Sequence, residues 1–277
     1  MTNLMRAEWI KFRSVRSTVI TLLIAGALVV LVAVLTAATI KDETSISCDP
    51  VSSETQATTT QPEVDGGQGF GNPCPDGLQA VPDAHNLTDL TVGVSLACLL
   101  FGVLGVQVIG QEYRFNTIRP TFTAAPRRLP VVLAKLIVVC ASCAIVAAVM
   151  VAFCWVVGST MLDAFTVDGV DQRAALGIVL FGALWTAAGL GVGAIVRQPI
   201  AGILILVAES LIVESIIGAV FESTQKWLPF ANGLQMTYRA DGEAESLQSV
   251  LNGGIYFAVF CVILVAIGAI LVQRRDA

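Results

Sequence analysis

The sequence predicts an all-α, polytopic membrane protein with six transmembrane helices and both termini in the cytoplasm. Three observations predict it. The 277-residue chain is 55% apolar and only 13% charged, and its mean hydropathy of +0.78 lies outside the range of soluble globular domains. Six apolar runs are each close to the ~20 residues that carry a helix across a ~30 Å hydrocarbon core. Lysine and arginine, finally, fall almost entirely on alternate sides of those runs.

The runs lie at Thr18–Ile40, Leu90–Ile109, Val131–Gly158, Ala174–Val196, Ile200–Phe221 and Gly254–Val272. Helices suit them because a helix satisfies its own backbone polar groups in lipid. No segments alternate over barrel-strand length. The first run follows Arg6, Lys11, Arg13 and Arg16 and ends in small residues, as a secretory signal would. At 23 residues it exceeds a signal's apolar core and reads as a span.

With the N-terminus inside, twelve of the sixteen Lys and Arg residues face the cytoplasm, and Lys41, Arg173, Lys226 and Arg239 remain outside. Sixteen of the twenty-one Asp and Glu residues lie on the outer side. The net charge of −5 is therefore a property of the outer surface and gives no reason to expect nucleic acid.

The largest outer segment, Lys41–Asp89, has a middle of Thr, Ser, Gln, Gly and Pro with little to bury, so Val51–Asn72 reads as a mobile loop. Cys48 and Cys74 bracket it and are the only cysteines outside the spans. On an oxidising side they are a candidate disulfide, which would remove about 3.5 kcal/mol of unfolded-chain entropy; two free thiols are the alternative. Cys140 and Cys143 form a CxxC within an apolar helix, where small-residue packing is the plainer reading. His85 is the only histidine, which removes any two-histidine metal site, and no metal site is expected. Asn86-Leu87-Thr88 matches a glycosylation sequon, a weak signal.

Chemistry is mostly excluded. The chain contains no G-x-x-x-x-G-K-[ST] phosphate loop, no G-x-S-x-G elbow and no intramembrane histidine. No enzyme is expected, which leaves transport or a passive membrane role.

The stretch GQEYRFNTIRPTFTAAPRRLPVVLAK bears on that choice. It resembles the first cytoplasmic loop of membrane (permease) subunits of bacterial type-2 ATP-binding-cassette (ABC) exporters through Glu112, Tyr113, Thr117, Ile118, Pro126, Arg127, Ala134 and Lys135. The N-terminal RAEWIKFRSVRST, with Glu8, Lys11, Arg13 and Arg16, resembles the family's entry helix, and Trp227–Leu234 (WLPFANGL) its outer re-entrant segment. The first outer loop is longer than the family usually carries, so its role is not carried over.

The resemblance implies a permease subunit in a bacterial cell membrane. It would pair with a second permease copy or paralogue around a central path and be driven by a separate cytoplasmic ABC ATPase. ATP and Mg would bind that partner, and no cofactor is expected in this chain. The alternative reading is a non-transporting six-span protein, a sensor or immunity component, whose outer loop binds a ligand.

Candidate sites follow from both readings. Residues 3–17 place Leu4, Met5, Trp9, Phe12 and Val15 on one helical arc, with Glu8 intruding, which reads either as an interfacial slide helix or as an ordinary positive-inside flank. Gly182, Ala183, Ala187, Gly189, Gly191 and Gly193 predict close helix contacts in the fourth span. Glu209 lies about 15 Å beyond Pro199, near the bilayer centre, where a charge must be paired or hydrated. Glu209 and Glu214 are the substrate-path candidates. Five residues apart, they stand 140° from each other on an α-helix and are expected on different faces. In the inner loop a short helix is expected over Glu112–Arg119, ended by Pro120. Glu112, Tyr113, Arg114, Thr117 and Arg119 are the candidates for coupling to the ATPase.

Overall fold

The computed structural model describes residues 2–42, 46–50, 78–82, 85–115, 117, 128–162, 165–221, 224, 227–238 and 244–274. Among these, six helices are long and apolar enough to cross a membrane, in the expected order. The protein is an all-α, multi-pass membrane protein.

The chain enters through an amphipathic helix, Thr2–Ser14, and breaks at Val15 before the first span, Arg16–Asp42. The second span is Val92–Arg114, preceded by a four-residue helical turn, Leu87–Leu90. The third span is Arg128–Met161 and the fourth Gly169–Val196. Asp168 starts the fourth, its Oδ1 accepting the N–H groups of Val170 and Asp171 at 2.9 Å each while Asp171 reaches back to the Asp168 N–H. The fifth span runs from Pro199 to Val220, and the sixth is the membrane part of the helix Ala244–Arg274. Most helices are longer than the apolar runs, because backbone hydrogen bonding and caps carry a helix past the last apolar residue.

Among the described residues the strands all lie in the segments joining the first span to the second and the third to the fourth. β1 (Ile46–Pro50) pairs antiparallel with β2 (Leu78–Pro82), and β3 (His85–Asn86) pairs parallel with β4 (Phe165–Thr166). The β1–β2 register sets Cys48 opposite Ala80. Cys74 and Val51–Asn72 lie outside the described residues, so the Cys48–Cys74 pairing stays an expectation.

The core is a crossing of the second and fourth spans. A Cβ added at Gly189 would collide with the Gly102 carbonyl oxygen, and one at Gly105 with that of Thr186. Gly193 packs on Val106, and Gly191 lies against the backbone of Leu264 in the sixth span. The glycine-rich fourth span thus does bring backbones together, as its composition predicts. Beside the crossing, Phe181, Trp185, Phe230 and Phe257 form one buried aromatic group, with ring centroids 4.9 Å apart for Trp185–Phe230 and 5.4 Å for Phe181–Phe257. Phe230 comes from a short helix, Pro229–Leu234, so the WLPFANGL segment turns inward to join the core.

Candidate functional site

At the end of the helix bundle where the entry helix lies, three separate parts of the chain meet in a four-charge cluster. Lys135, in the first turns of the third span, donates to Glu8 Oε2 at 2.6 Å and to Glu112 Oε1 at 2.9 Å. Lys11 donates to Glu8 Oε1 at 3.0 Å and to Glu112 Oε1 at 3.3 Å. Two ammonium groups and two carboxylates give a neutral sum, which is what allows Glu8 and Lys135 to be only 5% exposed. Gln111 Nε2 adds a 2.8 Å hydrogen bond to Ser17 Oγ, tying the start of the first span to the end of the second.

This placement corrects the reading of the entry helix. Its buried face is centred on Glu8 and Phe12, one turn apart, while Trp9 and Ile10 point outward. Glu8 does not intrude on that face; it is the residue the face is built around. Burial alone raises the Glu8 pKa, but Lys135 and Lys11 outweigh it and hold the carboxyl below its ordinary value. For Lys11, burial acts downward and is outweighed by Glu112 and Glu8, so its pKa is raised. Between the entry helix and the second span lies a cavity of about 510 Å³, apolar at Phe12, Val15 and Val108 and rimmed by the cluster.

The inner loop also departs from expectation. No separate helix begins at Glu112, because the second span continues through Arg114 and Glu112 lies in its last turn. The stop is a local cap rather than Pro120: the Thr117 N–H closes back on the Glu112 carbonyl at 3.0 Å, the six-residue bond of a helix C-terminus. Tyr113 lies beneath the Arg197 guanidinium, whose Cζ is 5.0 Å from the ring centroid. Arg114 is exposed, with its Cζ 5.5 Å from the Phe115 ring. Arg119 lies outside the described residues. Of the five coupling candidates, Glu112 is therefore turned into the protein.

The two intramembrane glutamates are together rather than apart. Glu209–Val213 form a single π-turn, and the Glu214 N–H bonds to the Glu209 carbonyl, i to i+5. The 140° separation assumed unbroken α-helix. One π-turn brings five residues round to nearly the same face, and the two carboxyl groups lie against each other. Glu214 is buried and has a definite task. Its Oε1 accepts the Phe230 N–H at 2.7 Å and its Oε2 the Ala231 N–H at 2.8 Å. It thus caps the re-entrant helix from another span, where the residue before that helix, Leu228, has no side chain able to do so. Glu209 is half-buried at the first position of the π-turn.

No family model matches the sequence, and neither a curated protein nor a solved structure matches it.

Proposed function

We propose that this chain is the permease subunit of an ABC-type exporter in a bacterial plasma membrane. It would form the substrate path with a second permease copy or paralogue and be driven by ATP hydrolysis in a separate cytoplasmic ATPase. One observation carries the reading. Glu8 comes from one sequence stretch that resembles that family and Glu112 and Lys135 from the two ends of another, and they converge on one buried ion cluster. An entry helix clamped to the ends of the second and third spans is the arrangement by which a push on the inner loop would reach several spans together. The inward-turned helix at Pro229–Leu234, closing the core from the outer side, supports the same reading.

In this reading the docking surface begins beyond the helix cap, at Thr117 and Arg119, and Glu112 anchors it from behind. The test is affinity capture of this chain from its host's membranes to recover any co-purifying ABC ATPase, followed by reconstitution of the pair in proteoliposomes. A stable complex whose ATP turnover depends on this chain, and is weakened by Arg119→Ala, is the expected result. A chain that neither binds that ATPase nor alters its turnover is not an exporter subunit.

A further inference from the structure

A second cavity, of about 500 Å³, opens at the inner membrane boundary, where the second and fourth spans end and the fifth begins. Its lining contains Arg114 and Arg197 and, among the described residues, no carboxylate. Beside it the second span packs closely on the start of the fifth, where a Cβ at Gly110 would stand only 3.0 Å from the Pro199 Cα.

Three features aim positive charge into this space. Arg197 is the only described non-glycine residue with positive φ, at 61°, a conformation that L side chains rarely adopt. Held there and laid over Tyr113, its guanidinium has a buried Nε with no hydrogen-bond partner. Arg114 approaches from the second span without an ion-pair partner among the described residues. The fifth span adds the N–H groups of Ile200 and Ala201 in its first turn, where Pro199 has none and Gln198 provides no side-chain cap. The left-handed turn at Arg197 is the C-cap of the fourth span, its N–H returning to the Gly193 carbonyl, and it holds the Arg197 side chain in the cavity wall beside Arg114, two cations that an anion in the cavity would meet together.

We infer that this cavity binds the phosphodiester headgroup of an anionic glycerophospholipid from the inner leaflet. The phosphate chemistry alone would also suit free phosphate. What favours lipid is the neighbouring surface: Ile200, at the cavity lip, is 67% exposed, and Leu204, one turn deeper along the same helix face, is 64% exposed. They form an apolar track on which an acyl chain lies while its headgroup meets the arginines. Lack of a carboxylate in the lining leaves the ammonium of phosphatidylethanolamine without a partner, so the site selects net-negative lipids.

The experiment uses the full-length protein in detergent, titrated with phosphatidylglycerol, phosphatidylethanolamine or inorganic phosphate. Bound lipid is counted by native mass spectrometry. Wild type retains phosphatidylglycerol saturably and in preference to phosphatidylethanolamine, and Arg114→Gln and Arg197→Gly each lower that affinity about fivefold. Glycine tolerates the positive φ at 197, so Arg197→Gly keeps the turn and separates charge from folding. Equal retention of the two lipids, or unchanged preference in both variants, overturns the assignment. Full displacement of phosphatidylglycerol by millimolar inorganic phosphate overturns the lipid and leaves a phosphate site.

Discussion

Lys135 and Glu8 are 127 residues apart in the chain, and their charged atoms are 2.6 Å apart, each side chain 5% exposed. The pair fixes the entry helix to the third span, and Glu112 shares the same lysine. Removal of Lys135 would leave two carboxylates with only the half-exposed Lys11 between them. Lys135→Ala is therefore expected to destabilise the protein by about 3–5 kcal/mol, seen as an earlier thermal transition in detergent. The double variant with Glu8→Ala should recover part of that loss. Additive losses would show that the two side chains are not coupled.

The same cluster sets a pH window for docking of the entry helix. Glu8, with its pKa lowered from 4.5, contributes stability that is complete above 4.5 and lost as pH falls through the lower folded value. Lys11, raised from 10.5, contributes stability that is complete below 10.5 and lost as pH rises through the higher folded value. Its part is the smaller one, because its side chain is 43% exposed and solvent screens it. Hydrogen exchange over residues 2–14, corrected for the intrinsic rate at each pH, should be flat near neutrality and rise below about 4.5. A flat profile to pH 3 would contradict the role given to Glu8.

Glu214 and Glu209 should separate cleanly. Glu214→Ala orphans the Phe230 and Ala231 N–H groups and is expected to lower stability by about 1–3 kcal/mol, with loss of the Phe230 contact to Trp185. Glu209→Gln keeps the shape of the π-turn and should leave expression and melting unchanged. In the proposed exporter, with Glu209 on the path, it alters ATP-driven transport. Transport that is unchanged across substrates removes Glu209 from the path.

Close packing of the second and fourth spans makes a steric prediction. Gly189→Ala and Gly105→Ala each drive a methyl group into a backbone carbonyl and should cost about 1–3 kcal/mol or prevent folding, visible as poor recovery of monodisperse protein. Gly26, with nothing within 4 Å of an added Cβ, is the control, and Gly26→Ala should be recovered normally.

The six spans were legible because crossing a membrane demands a local composition, and composition is what a sequence displays. The glycines of the fourth span were legible for a related reason: one residue type permits backbone contact. The ion cluster was not, because pairing Glu8 with Lys135 depends on tertiary packing across 127 residues. Helical periodicity instead marked Glu8 as a flaw in an apolar face. The relation of Glu209 to Glu214 was misjudged since a π-turn changes the angle per residue, and nothing in ESLIV announces one. Glu214 as the cap for Phe230 was equally hidden, although Leu228 at a helix start was a visible sign that some other residue must supply the acceptor.

The spans are unequally held within the chain. Buried residues make up 61% and 67% of the membrane windows of the second and fourth spans, but 22% in both the fifth and the sixth. At the Gly102–Gly189 crossing two backbones touch with no side chains between them to repack, so these helices can neither slide nor roll past each other without parting. They act as a single mast. Any change of shape in this protein falls to the lightly held helices around it, and the π-turn at Glu209–Val213 is where the fifth already departs from the α-helical hydrogen-bond pattern.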